Sequence, residues 1–88
     1  MINYDKVVGN HLKRIRLEIG LTQSEVAELL DKSLRTVQKY EKGEISISVS
    51  TLGYIAQTLE TDICEFFQLE EQRHDGTDKQ FLFVQLDR

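Results

Sequence analysis

An all-α fold followed by one β-strand is what this chain predicts, and three observations carry that expectation. Apolar residues recur at helical spacing through the first two-thirds of the sequence. Thr22, Ser33, Ser48 and Asp62, residues that start helices, stand at the heads of those apolar stripes. The last ten residues, KQFLFVQLDR, are instead rich in β-formers and read as a strand.

The first helix runs from about Tyr4 to Ile19. There Tyr4, Val8, Leu12, Ile15 and Ile19 are spaced four, four, three and four residues apart, and Gly20 ends the run. Thr22 and Glu25 form a capping box. The Thr hydroxyl accepts from the Glu25 N–H while the carboxylate reaches back to the Thr22 N–H. Val26, Ala27, Leu29 and Leu30 supply the apolar face of a second helix of about two turns. Asp31 and Lys32 break the pattern, Ser33 caps a third helix to about Lys42, and Gly43 supplies its left-handed end. Two short helices joined by a tight turn make a helix-turn-helix over about 22–42, whose second helix can enter the major groove of DNA. EISIS, from Glu44 to Ser48, reads as extended. Ser48 caps a fourth helix with Val49, Leu52, Ile55, Ala56 and Leu59 inward. Asp62 and Glu65 head a short fifth helix with Ile63, Phe66 and Phe67 inward.

The tail, residues 69–88, begins with a polar stretch and a turn signal at Asp75-Gly76. Its strand, 79–87, has nothing to pair with inside a helical domain, and an unpaired apolar edge is a liability. The economical solution is a second copy. Phe81, Phe83, Val84 and Leu86 would then lie in an antiparallel ribbon across a two-fold axis. Docking on the chain's own helices, or on a different protein, are the alternatives.

Length and composition set the remaining bounds. Eighty-eight residues make one domain, 1–68, plus the tail. A chain of this size buries about 60–65% of its unfolded surface. No apolar run approaches the roughly 20 residues of a membrane span, and MINYDKVVGN has no signal-peptide core. The single cysteine makes no internal disulfide, and no Cys/His cluster has zinc spacing, so a cytoplasmic protein without cofactor or metal is expected. His11, His74 and Cys64 read as isolated surface or packing residues. No Ser/His/Asp arrangement or glycine-rich phosphate loop points to an enzyme. The net charge of −4 is unevenly placed: residues 1–43 hold eight basic and six acidic groups, residues 44–88 three and nine. A basic face on an acidic body suits specific DNA binding and weakens non-specific phosphate attraction.

The segment from about Val8 to Phe67 resembles the phage-repressor-like helix-turn-helix family, the XRE or Cro type. The resemblance rests on Arg16, Leu21-Thr22-Gln23, Ala27, Ser33, Thr36-Val37, Tyr40-Glu41 and Gly43, with TLGYIAQTL and DICEFF downstream. It implies a compact five-helix lambda-repressor-like domain. It also implies base-reading positions at Leu34, Arg35 and Lys39, with Thr36 and Gln38 nearby. Arg pairs with guanine O6 and N7, and Gln with adenine N6 and N7. Leu34 has two readings, a contact to a thymine methyl or a place beside Val37 in the core. Gln23 matches a phosphate clamp at a helix amino terminus, and Ser33 and Lys42 are further phosphate candidates. Arg16 and Glu41 match an ion pair that orients the recognition helix, with Arg16 also able to meet a phosphate. Asp31 and Glu60 stand where the family commonly has glycine, and Lys32 where an apolar residue packs the turn.

The function implied is a sequence-specific DNA-binding transcriptional regulator, a repressor acting as a homodimer on a two-fold symmetric operator in double-stranded DNA. The alternative is a protein-interaction module, such as an antitoxin or a partner of another regulator, in which the acidic half and the tail bind protein.

Overall fold

The computed structural model describes residues 1–69. Four α-helices follow in order: α1 (Tyr4–Ile19), α2 (Gln23–Leu30), α3 (Leu34–Lys42) and α4 (Val49–Thr58), then a 3-10 turn, Ile63–Phe67. α1 packs on α3 and on the 3-10 turn, α2 packs on α3 and α4, and α4 closes on the 3-10 turn. Phe66, Leu12, Ile55, Val26 and Val37 are fully buried at the centre, joined by Val8, Ile15, Ala27, Leu30, Tyr40, Leu52, Ala56 and Leu59. Each large member contributes about 1.5–3 kcal/mol by leaving water. No described helix is long and apolar enough to cross a membrane.

Local chemistry sets the helix ends. Asn3 caps α1, Thr22 forms both halves of the capping box on α2, and Ser33 and Ser48 accept from the N–H of Thr36 and Thr51. Asp31 ends α2 at φ 56°, and the Lys32 N–H reaches back to the Ala27 carbonyl at 2.9 Å. A short polar side chain tolerates that left-handed geometry better than most. Glu60 adopts the same φ after α4, with the Thr61 N–H on the Ala56 carbonyl at 2.9 Å. Gly43 is required twice over. Its φ is 72°, and a Cβ there would lie 2.8 Å from Lys6 Cα.

Several expectations need correction. The Asp62 signal predicts a fifth α-helix, but Ile63–Phe67 is a single 3-10 turn. The Asp62 carboxylate takes the Cys64 N–H at 2.9 Å, and the Glu65 N–H goes to the Asp62 carbonyl at 2.9 Å. Three residues per turn stack Ile63 over Phe66 on the core side and swing Phe67 out, leaving it 44% exposed. Leu29 is also exposed. It sits roughly 60° outside the arc of Val26, Ala27 and Leu30 at 3.6 residues per turn. Tyr4, Ile19 and Val49 sit at helix ends and face solvent rather than the core. The described residues contain no strand. The predicted strand 79–87, with Phe81, Phe83, Val84 and Leu86, lies outside them.

His11 and Cys64 are not alone either. His11 is buried and its Nε2–H donates to the Gln68 carbonyl at 2.6 Å. Its Nδ1 accepts from Arg14, which also pairs with Glu18 and Glu65 at 3.2 and 3.1 Å. Cys64 is exposed, and Asp62, by hydrogen bonding and by its charge, pushes the thiol pKa up. That keeps it in the unreactive thiol form.

The contact between α1 and α3 places the rest. Gly9 faces the end of α3 so closely that a Cβ would overlap the Tyr40 carbonyl oxygen and lie 3.0 Å from that of Glu41. Two turns further along α1, Arg16 Nε and Nη2 donate to the two Glu41 carboxylate oxygens at 2.6 and 3.1 Å, with both side chains buried. Arg16 Nη1 donates to the Leu21 carbonyl at 2.9 Å, and Gln23 Nε2 to Glu41 Oε1 at 2.9 Å.

Gly9→Ala should cost at least about 3 kcal/mol, because backbone rather than a side-chain tip must give way. Denaturant unfolding would read it, and an unchanged midpoint would refute the close approach. Arg16→Met should cost about 3–5 kcal/mol by stranding a buried carboxylate, and Arg16→Met with Glu41→Leu should recover most of that loss. An equally damaged double variant would mean that the pair itself, not its desolvation, holds the domain. Glu60→Gly should raise stability by about 1 kcal/mol by relieving the left-handed backbone, and a lowered melting temperature would count against it.

Candidate nucleic-acid interface

α3 has two faces with separate duties. Val37, Tyr40 and Glu41 are buried against the body. Leu34, Arg35 and Lys42 are exposed, and Thr36, Gln38 and Lys39 are half-buried at the margin. The division follows from helical spacing, since positions 37, 40 and 41 share one face. The helix has one carboxylate, Glu41, and it is turned inward and spent on Arg16. Arg35, Lys39 and Lys42 therefore present three positive charges with no ion pair to any described residue. A face of unpaired cations is an attractive surface for a polyanion.

The approach to that face also projects. Asp31, Lys32, Ser33, Leu34 and Arg35 are consecutively exposed, so the turn and the start of α3 stand proud of the body. Within this tip the two hydroxyls are linked. Ser33 Oγ donates to Thr36 Oγ1 at 2.9 Å and accepts the Thr36 N–H at 3.0 Å. A hydroxyl has one proton. The bond between the two hydroxyls uses one of their two protons, which leaves one to donate outward.

Gln23 opens α2, and its side-chain amide uses one N–H on Glu41. An amide has two such protons, so one is left for an anion. The capping box engages the Thr22 and Glu25 N–H groups, while those of Gln23 and Ser24 open the helix without an intrahelical acceptor. Arg16 is different. Its side chain is 8% exposed, with three N–H groups engaged on Glu41 and Leu21. It sits behind Gln23 and Glu41 rather than on the surface. Leu34 is 42% exposed and outside the core cluster, which removes the core reading left open by its sequence position. Among the described residues, no group of three or more His, Cys, Asp or Glu could hold a metal ion.

Sequence reasoning missed the bond from Gln23 to Glu41 and the role of Gly9. A glycine inside an apolar helical stripe was the available signal for a close backbone approach. The Gln23 contact joins residues 18 apart in the chain, and no local pattern encodes it.

Comparison with known proteins agrees with this geometry. The helix-turn-helix family model HTH_3 matches residues 12–66. An uncharacterized HTH-type transcriptional regulator of Rickettsia conorii is 40% identical over 68 residues, covering 76% of this chain and 54% of that protein. An uncharacterized transcriptional regulator in the ATPase CF(0) region of Rhodospirillum rubrum is 37% identical over 75 residues, covering 82% and 69%. This chain thus spans about half the length of the Rickettsia relative. Among solved structures, the restriction-modification controller protein C.AhdI from Aeromonas hydrophila superposes with a TM-score of 0.67 at 25% identity, covering 72% of this chain and 96% of that one. The chain belongs to the XRE/Cro-type helix-turn-helix family.

Proposed function

We propose that this protein is a sequence-specific DNA-binding transcriptional regulator that acts as a homodimer on a two-fold symmetric operator. The observation that supports it most is the outward face of α3. Its cations are unpaired, its carboxylate is buried, and it leads with a projecting tip. A helix in this setting enters the major groove with its amino-terminal residues toward base edges. Arg35 is suited to guanine, Gln38 to adenine, and Lys39 to a guanine acceptor. The hydroxyl proton left over from the Ser33–Thr36 bond donates to a base or a phosphate at the same edge.

Phosphate contacts bracket the helix. Gln23 offers its remaining amide proton together with the free N–H groups at the start of α2, where the helix dipole favours an anion. Lys42 reaches the backbone at the far end of α3. Ser33 acts by orienting the Thr36 hydroxyl, and Arg16 acts by holding Glu41 and, through it, Gln23. A dimer would place two recognition helices roughly 34 Å apart, one turn of the duplex. Repression then follows from occupying a promoter and excluding polymerase. A second reading, a protein-interaction module, draws on α4. That helix has no charged residue and exposes Val49 and Tyr54.

Binding to duplexes selected from a random pool, followed as a function of salt, decides between the two readings. Affinity should fall with a log–log slope of about −0.9 per phosphate contacted. Lys42→Ala should flatten that slope by about 0.9 per half-site with little change in sequence preference. Arg35→Ala should relax one position per half-site at a cost of about 1–3 kcal/mol. An unenriched pool from folded protein would sink the operator reading in favour of a protein partner.

A further inference from the structure

Two lysines of α1 carry charge that neither the fold nor the helix-turn-helix uses. Lys6 and Lys13 are exposed and form no ion pair with a described residue. The other charges of α1 are all engaged. Arg14 pairs with Glu18 and Glu65, Arg16 with Glu41, and Asp5 accepts the Ser46 hydroxyl at 2.8 Å. Exposed lysines are ordinary on a protein surface. What sets these two apart is where they stand.

Their place follows from the pitch of the helix. Gly9 and Arg16 meet α3, against Tyr40 and Glu41. Lys6 and Lys13 each precede one of them by three residues. That puts them about 60° further round, away from Val8, Leu12 and Ile15 in the core. They therefore border α3 on the side turned from the core. Lys6 is fixed there by contact as well. A Cβ on Gly43, which caps α3 directly after Lys42, would lie 2.5 Å from Lys6 Cγ and 2.8 Å from its Cα. The outward cations of α3 thus continue onto a second helix, from Lys42 to Lys6 and then, two turns along α1, to Lys13. Glu44, exposed just beyond Gly43, pairs with none of them.

A row of cations that passes from one helix to the next fits a partner whose negative charges also stand in a row. Each strand of a duplex offers phosphates in that way, and contacts to them fix how a protein sits without reading sequence. We propose that Lys6 and Lys13 form a second phosphate-binding edge, on α1, that grips the duplex backbone beside the groove occupied by α3. The inference rests on the DNA-binding reading given above and extends the contact to a helix outside the helix-turn-helix.

The test follows binding of the full-length protein to its selected operator as salt is varied. Lys6→Gln with Lys13→Gln keeps most of each side-chain stem and removes two charges. The log–log slope should flatten by about 1.8 per half-site, with the selected base sequence unchanged. Lys6→Arg with Lys13→Arg should keep the slope. Neutral methylphosphonate linkages, placed one at a time along a half-site, then locate the contacts. At one or two linkages the unaltered protein should lose roughly threefold in affinity, and the glutamine variant should lose nothing further there. An unchanged slope in the glutamine variant overturns the inference and leaves the regulator reading standing. A flatter slope with every methylphosphonate loss undiminished also overturns it, because the lysines would then act only through overall charge. Unaltered protein that binds no duplex specifically would remove both.

Discussion

The buried carboxylate of Glu41 is the point on which the domain turns. It lies near the end of α3, takes two N–H groups from Arg16 on α1, and takes a third from Gln23 at the start of α2. Arg16 in turn holds the carbonyl of Leu21 in the link between those helices. Three helices and one connection are thereby referenced to a single side chain. A charge in that position survives burial because it is paired and its lone pairs are occupied. The backbones of α1 and α3 also come close beside it, at Gly9, which permits the approach by having no side chain. The geometry of the outward face is a consequence of this inward one.

Much of that arrangement was written in local sequence. The bounds of α1 follow from a stripe of apolar residues and a terminal glycine. Those of α2 and α3 follow from hydroxyl caps whose hydrogen bonds form as the spacing of Thr22–Glu25 and Ser33–Thr36 requires. The misreadings occurred where a count of residues could not decide geometry. Asp62 and Glu65 have the spacing of a capping box, yet burying Phe66 in five residues favours the tighter 3-10 turn. Leu29 and Phe67 are apolar, but their angular positions turn them outward. His11 seemed isolated because Gln68, 57 residues further on, reaches it only when the chain closes on α1, although Arg14 lies one turn away on the same helix. The candidate interface was legible by residue type. Which amide proton is free and which arginine is hidden were not.

Electrostatics follows the same division between local and folded information. The sequence carries net negative charge, with its acid concentrated in the second half. Folding sharpens the contrast on α3 by withdrawing its single carboxylate into an ion pair while three cations stay in solvent. Arg14, also basic and in the same half, is neutralised by Glu18 and Glu65. A count of lysines and arginines therefore overstates how many are available to a phosphate, and position in the fold identifies the ones that remain.

The two faces of α3 are independent in a way that matters over evolutionary time. Val37, Tyr40 and Glu41 answer to the fold, and Leu34, Arg35, Gln38 and Lys39 are not among its core residues. Positions outside the core usually change stability by only about half a kcal/mol when substituted, as Leu34 and Arg35, both exposed, should. The outward residues can thus be exchanged while the scaffold stays put, so a lineage carrying this domain can change the chemistry of that face without first passing through an unstable protein.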